Sequence, residues 1–278
     1  MSSPRICAAI LTHNEATMLP GCVSTLKWCD EILALDQGST DGTLEVLAKA
    51  GVRVIHSDET SFAVRRTQLL KACQADWIIY IDADERVTPL LAEEIRALIS
   101  AHESSQDPAI GQVPRKNFFF GKVFKHGGWQ NEYCSRVFKT DVLKGWQGDI
   151  HESPIFEGEV KQLVNPLWHF THRSVADGLV KTAQWTPVEA TLIEQQLGKT
   201  QTKISLWTIV RKGLGELWRR GVKQGGWRDG AAGMIEVLTQ MINRMLVYMQ
   251  VWEKQQQPPI REQYDRLEDE MASLWKKQ

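Results

Sequence analysis

The chain has no Cys-x-x-Cys pair: its five cysteines, Cys7, Cys22, Cys29, Cys73 and Cys134, are scattered and odd in number. They read as reduced thiols of a cytosolic protein, which argues against a disulfide framework and against a zinc site. Uncharged apolar runs approaching the roughly 20 residues that span a bilayer are absent. So is a secretory signal: Met1-Ser2-Ser3-Pro4-Arg5 leads directly into a strand-like run that is too short and poorly flanked. No internal repeat is found. Charge of one sign is also lacking, with 33 Lys and Arg against 34 Asp and Glu. That balance, with 24% charged residues, points to a soluble globular protein and away from disorder or general nucleic-acid binding. At 278 residues there is room for one large domain, alone or with a helical appendage. Tryptophan is in excess: there are eleven, nine of them after residue 128. Binding surfaces and membrane interfaces use Trp, but most of these are expected to fill helical cores.

The first hundred residues alternate strand and helix signals. Strands are read at residues 6–11, 32–35, 52–55 and 77–81. Helices are read at 15–28 (which contains Pro20), 43–50 before Gly51, and 62–75. Another opens with Thr88 as N-cap and Pro89 at the first helical position, and runs to about residue 101. This alternation predicts an α/β fold, a mostly parallel sheet flanked by helices, with ligands at the carboxyl ends of the strands. Three polar clusters fall at such ends: Thr12-His13-Asn14-Glu15, the run from Asp36 to Gly42, and the run from Asp82 to Arg86. Residues 102–107 read as a polar loop, 111–139 as an irregular β-rich half, and 175 onward as helical. The expected division is therefore 1–174, with halves of about 1–102 and 103–174, followed by a helical extension, 175–278. In the last helix Ile260, Tyr264, Leu267, Met271 and Leu274 recur at three- and four-residue spacing, a stripe expected to pack in a core or against a helix.

The third cluster carries the most chemistry. Trp77-Ile78-Ile79-Tyr80-Ile81 reads as a buried strand that delivers Asp82-Ala83-Asp84-Glu85-Arg86 at its carboxyl end. Side chains alternate along a strand, so Asp82 and Asp84 point the same way. Two hard oxygen donors there suit Mg²⁺ or Mn²⁺ when phosphates supply the remaining ligands. Asp-x-Asp alone fits a solvated or helix-capping loop equally well, and Glu85 and Arg86 fit helix-start charges.

Taken in order, Thr12-x-Asn14-Glu15, Asp36-x-Gly38-Ser39-Thr40-Asp41-Gly42-Thr43, Asp76-Trp77 and Asp82-Ala83-Asp84-Glu85-Arg86 resemble glycosyltransferase family 2. The resemblance is to its small lipopolysaccharide-core β-1,4-glucosyltransferase branch. It continues through Arg115-x-Asn117, Gly127-Gly128-Trp129, Arg136-Val137-Phe138, His151-Glu152, His169 and Asp229-Gly230, covering roughly residues 5–235. It implies a GT-A fold, a nucleotide-sugar donor, a divalent metal and an inverting reaction. Thr12, Glu15 and Asp36 would line the nucleoside site, with Asp36 accepting the pyrimidine N–H. Arg65 or Arg66 would lie near the base or diphosphate, unless both belong to an exposed helix face. Asp41 is also an ordinary N-cap.

A divalent ion on the leaving diphosphate stabilises its charge, and Asp84 is the leading metal ligand. Asp82 is left between metal and ribose. The resemblance implies a third protein ligand, for which His169 is the candidate, although a His beside aromatics also serves structural roles. Inversion needs a general base for the acceptor hydroxyl. The resemblance places a catalytic acid residue at His151-Glu152. Glu152 is assigned as the base, His151 as its holder, and Asp149 and Glu132 as rivals.

Lys199, Lys203, Arg211, Lys212, Arg219, Arg220, Lys223 and Arg228 share residues 199–228 with one acid, Glu216, and with interleaved apolar residues including Trp207 and Trp218. A basic amphipathic helix bearing Trp suits an anionic membrane surface. A charged face over a core and a nucleic-acid patch are the alternatives. The apolar stretch 231–252, interrupted by Glu236, Asn243 and Arg244, is expected to pack and not to span.

The combined expectation is a metal-dependent inverting hexosyltransferase. It would use UDP-glucose and a lipid-linked or lipopolysaccharide-core acceptor, with no nucleic acid, in the cytoplasm at the inner membrane face. The oligomeric state is left open, a homo-oligomer included. The alternatives are a noncatalytic nucleotide- or carbohydrate-binding scaffold and a nucleotidyltransferase. The latter would carry a Gly-rich phosphate loop where Thr12-His13-Asn14-Glu15 stands.

Overall fold

The computed structural model describes residues 3–105, 109–130, 132–148, 152–198 and 202–275. The chain divides into two compact units, residues 1–123 with 129–171, and residues 124–128 with 172–278.

The first unit opens with β1 (Ile6–Thr12), α1 (Leu19–Ser24), β2 (Glu31–Asp36), α2 (Thr43–Lys49), β3 (Arg53–His56), α3 (Phe62–Ala72), β4 (Trp77–Asp82), β5 (Glu85–Arg86) and α4 (Pro89–Ser105). It continues through β6 (Ile110–Phe119), β7 (Lys122–Val123), β8 (Glu132–Lys139), β9 (Leu143–Gln147), β10 (Ser153–Phe156), β11 (Val160–Gln162) and β12 (Leu167–Phe170). The main sheet runs β3-β2-β1-β4-β8-β6-β12-β5. Its first four strands are parallel neighbours. At β8 the direction reverses, since β8 is antiparallel to both β4 and β6. Strands β9 and β10 form a separate hairpin.

Both faces of the parallel half are covered, so β1 and β4 are apolar without alternation. Ile6, Ala8 and Ile10 face one core with Leu19, Leu91 and Ile95 from α1 and α4. Cys7 and Ala9 face the other core with Leu35, Ile78, Tyr80 and Leu69 of α3. The alternating α/β reading therefore holds. Two boundaries move. Pro20 lies in the first turn of α1 instead of inside a longer helix, because its ring fits the first turn only. His102 is in α4, buried edge-on against Trp77 at 5.4 Å, and not in a polar loop.

The second unit is helical: α5 (Val175–Gly198), α6 (Leu206–Glu216), a π-helical stretch (Leu217–Lys223), a 3₁₀ turn (Gly226–Asp229), α7 (Gly230–Lys254) and α8 (Ile260–Trp275). Ala190, Ile204, Ile209, Val247, Tyr248 and Val251 form its core. Among the described residues no helix is long and apolar enough to cross a membrane. Glu236, which interrupts the apolar stretch of α7, is fully buried and accepts from Gln240 while His172 Nδ1 lies 2.8 Å away. Two packing expectations fail here. All six tryptophans of the unit, Trp185, Trp207, Trp218, Trp227, Trp252 and Trp275, are exposed instead of filling the core. The α8 stripe is also uncovered, with Tyr264, Leu267, Met271 and Leu274 all exposed.

Candidate active site

The carboxyl ends of β1 and β2 are stitched together by neutral donors. Their register sets Thr12 opposite Asp36. The Thr12 hydroxyl donates to Asp36 Oδ1 at 3.1 Å, the Ser39 N–H donates to Oδ2 at 2.9 Å, and the Ser39 hydroxyl reaches Oδ1 as well. Burial by itself would raise the Asp36 pKa, but the hydroxyls and amides around it outweigh burial and hold it below its ordinary value. Asn14, at φ 57°, clasps the second loop by donating its N–H to the Ser39 hydroxyl and accepting from the Thr40 N–H. The Glu15 N–H donates to the Thr43 hydroxyl, so Glu15 stands at the junction of the two loops. Asp41 accepts from the Thr43 N–H and hydroxyl and from the Ala16 N–H, so it both starts α2 and ties the loops. Arg65 is buried beside this cluster; its guanidinium donates to Gln37 Oε1 at 2.8 Å and lies 4.1 Å from the Phe62 ring centroid. A cleft of about 470 Å³ opens here, lined by His56, Ser57, Asp58, Glu59 and Gln68.

The end of β4 is built from ions. Asp82 Oδ1 lies 3.0 Å from Arg66 of α3, and Oδ2 lies 2.5 Å from Arg136 of β8 and 3.8 Å from Arg115 of β6. Glu85 is fully buried and shares Arg136 (2.6 Å) and Arg115 (2.9 Å), while its other oxygen accepts the Asp82 N–H. Burial opposes the Asp82 charge, yet the three arginines hold the carboxyl well below the usual carboxylate range. The same carboxylates raise Arg136 well above its ordinary value against the effect of burial. Glu85 therefore belongs to this network and is not a helix-start charge. Arg86 is a backbone clasp: it donates to the carbonyls of Met18, Ala83 and Glu85. Gly21 of α1 makes room for it, since a Cβ there would lie 2.7 Å from Arg86 Nε.

Asp84 faces a different partner. Strand β12 pairs antiparallel with β5, placing His169 opposite Glu85, and the Phe170 N–H donates to the Asp84 carbonyl at 2.8 Å. His169 Nε2 then lies 3.3 Å from Asp84 Oδ2. A chain of hydrogen bonds sets the imidazole tautomer. Asn117 Nδ2 donates to the Trp129 carbonyl at 2.8 Å, which turns Asn117 Oδ1 toward His169 Nδ1 at 2.6 Å. Nδ1 therefore carries the proton, and in the neutral ring Nε2 presents its lone pair to Asp84. With the ring neutral, two lone-pair donors would face each other, an arrangement that a shared divalent cation satisfies. A carboxylate and an imidazole held by an outer amide fit Mg²⁺ or Mn²⁺, the nitrogen favouring Mn²⁺. Among the described residues no group of three or more His, Cys, Asp or Glu could hold a metal, so the remaining ligands would come from donor oxygens and water.

Glu152 sits just before β10, and its Oε1 lies 3.1 Å from Arg66 Nε. His151 and Asp149 lie outside the described residues. Glu132, the other rival base, is half exposed, 3.4 Å from Arg115. The structure thus gathers Asp82, Asp84, Glu152 and His169 around one set of strand ends, and places Thr12, Glu15, Asp36 and Arg65 around another. The reading of the sequence set Arg66 only near the base or diphosphate, not between Asp82 and Glu152, and gave Arg115, Asn117 and Arg136 no role beyond their place in the motifs. One signal was present: Arg115 and Asn117, two positions apart, share one face of β6.

The chain belongs to glycosyl transferase family 2, whose model matches residues 7–153. It is 25% identical over 260 residues to the lipopolysaccharide core biosynthesis glycosyltransferase LpsC of Rhizobium meliloti, covering 89% of this chain and 92% of that one. An uncharacterized glycosyltransferase of Rickettsia felis is 30% identical over 224 residues, 73% of this chain and 75% of the relative. Among solved structures, S. aureus TarS 1-349 in complex with UDP-GlcNAc is 11% identical at a TM-score of 0.48, covering 85% of this chain and 90% of that chain.

Proposed function

We propose that this protein is an inverting, metal-dependent glycosyltransferase that moves a hexose, glucose from UDP-glucose, onto a lipid-linked or lipopolysaccharide-core sugar. One observation carries the metal dependence: the Asp84–His169 pair, with its tautomer set through Asn117. In this reading Asp84 and His169 hold Mg²⁺ or Mn²⁺, which would neutralise the departing diphosphate. Asp82, both of whose oxygens face arginines, holds the donor side in place and contacts the ribose; metal ligation by Asp82 would have to displace Arg66 or Arg136. Asp36 accepts the pyrimidine N–H, supported by Thr12, with Glu15 and Arg65 beside it. Glu152 takes the proton from the acceptor hydroxyl on the face opposite the leaving group.

The likeness to LpsC supports a lipopolysaccharide-type acceptor, and the exposed face of α6 and the π-helical stretch supports a membrane-surface location. Trp207, Leu214, Trp218 and Val222 project outward there, beside the exposed Lys203, Arg211 and Lys223. This combination suits the headgroup region of an anionic leaflet. Arg220 is not part of it, because Arg220 binds Glu216 and the Gly127 carbonyl. The deciding experiment is a UDP-release screen over UDP- and GDP-sugars with Mg²⁺ or Mn²⁺, with and without lipid acceptors. UDP-glucose with a lipid acceptor should give metal-dependent release. Undiminished release in excess chelator would remove the metal from the reading, and no release with any donor would favour a binding scaffold.

A further inference from the structure

Among the described residues, Glu152's carboxylate has one side-chain partner, Arg66. The segment bearing Glu152 leads into the β9–β10 hairpin, which has no ladder to the main sheet. Backbone pairing therefore does not fix the distance from Glu152 to the strand ends where the donor would sit. Arg66 spans that gap. Nε binds Glu152 and the terminal NH2 binds Asp82, two acids 70 positions apart in the chain.

The guanidinium is itself held firmly. Its central carbon lies 4.9 Å from the centroid of the Trp146 ring and 5.5 Å from that of Tyr80. The Tyr80 hydroxyl donates to the Arg66 carbonyl at 2.9 Å. One residue on, the Thr67 hydroxyl accepts the Trp146 N–H at 3.1 Å, docking β9 on α3. Gly145 permits this approach, since a Cβ there would meet Thr67 Oγ1 at 3.3 Å. Arg66 is thus a buried planar fork with two of its nitrogens committed to two carboxylates, and aromatic rings restrict its rotamer. A third charge at the same place, Arg136, binds Asp82 independently, so Asp82 does not depend on Arg66 alone.

We propose that Arg66 is a positioning residue that registers the Glu152-bearing hairpin against the donor end of the site, acting on the reaction through Glu152. This rests on the reading of Glu152 as the base. Precise placement of such a group is worth orders of magnitude in rate, so loss of its one anchor should show in turnover and not in donor binding.

The test uses the full chain with UDP-glucose, Mn²⁺ and truncated lipopolysaccharide as acceptor, comparing Arg66→Met, Arg66→Lys, Glu152→Gln and the Arg66→Met/Glu152→Gln double variant. Arg66→Met should lower kcat by about 30-fold or more while the KM for UDP-glucose and the Kd for UDP stay within about threefold. Arg66→Lys, which keeps a charge but loses the fork, should recover part of kcat. The double variant should be no more than about threefold slower than Glu152→Gln alone, because the two act as a unit. A rise of about tenfold or more in the Kd for UDP with Arg66→Met would overturn the proposal in favour of a direct diphosphate contact, as would losses that multiply in the double variant. A wild-type rate for Glu152→Gln would instead remove the base assignment, and a slow Arg66→Met would then act by another route. Thermal melts identify a variant that has failed to fold; should Arg66→Met fail, Arg66→Lys carries the same test through its kcat and its pairing with Glu152→Gln.

Discussion

Asp36 and Asp82 end strands in the parallel half of one sheet, and both have lowered pKa values against the opposing effect of burial. They reach that state by different means. Asp36 is surrounded by hydroxyls and amides, which stabilise its charge without cancelling it. Asp82 is surrounded by Arg66, Arg115 and Arg136, whose charges outweigh its own and that of Glu85. A carboxylate of the first kind remains available to a ligand N–H. One of the second kind is a fixed part of the scaffold, whereas its neighbour Asp84 meets an imidazole in place of guanidinium. The expected shared face of a strand end is not kept: Asp84 lies in the turn between β4 and β5 and meets a different partner from Asp82.

This contrast can be broken by substitution. The largest effect is expected at Arg136, because its removal leaves the buried Glu85 and the part-buried Asp82 each short of a partner. Arg136→Met should cost about 3–5 kcal/mol in denaturant unfolding, whereas a loss under about 1 kcal/mol would show that the network is solvated. Next comes Glu152→Gln, which should lower turnover at least about 10²-fold with UDP binding nearly intact; a wild-type rate rules out the base assignment. Asp36→Asn should weaken UDP binding about tenfold or more by exchanging a charged acceptor for a neutral one, as calorimetry would register.

The Asp82 network also sets a pH dependence. A carboxyl with a lowered folded pKa stabilises the protein above its unfolded value of about 3.9, and that contribution is lost as pH falls through the folded value. Unfolding free energy should therefore be level near neutrality and decline below about pH 4; Asp82→Asn should flatten that decline. The smallest effect on the fold is expected from Trp207→Ser with Trp218→Ser. Stability should shift by less than about 0.5 kcal/mol, while co-sedimentation with anionic vesicles falls severalfold. Unchanged sedimentation would assign that face to solvent.

Much of the parallel half was legible in the sequence because its signals are local. Apolar runs ending in polar clusters give β1, β2 and β4, and Thr88-Pro89 opens α4 where expected, the Thr88 hydroxyl accepting the Leu91 N–H. The acids of the third cluster and His169 were also legible as candidates, although nothing in the spacing shows that β12 returns beside β5. What was hidden depends on long-range pairing. An arginine in a strand reads as surface, and only the reversal at β8 buries Arg136 against Asp82. The exposed tryptophans were hidden for another reason: α6 and the π-helical stretch carry apolar residues on both sides, with Ile209 and Gly213 inward and Trp207, Leu214 and Trp218 outward, so periodicity cannot say which side is covered.

The most direct measurement is UDP-dependent Mn²⁺ binding, followed by the electron paramagnetic resonance of the free ion, in the native chain and in Asp84→Ala, His169→Ala and Asp82→Asn. The Asp84–His169 account predicts that the first two variants lose the bound ion while Asp82→Asn keeps it. Undiminished binding in Asp84→Ala and His169→Ala, or loss confined to Asp82→Asn, would contradict it.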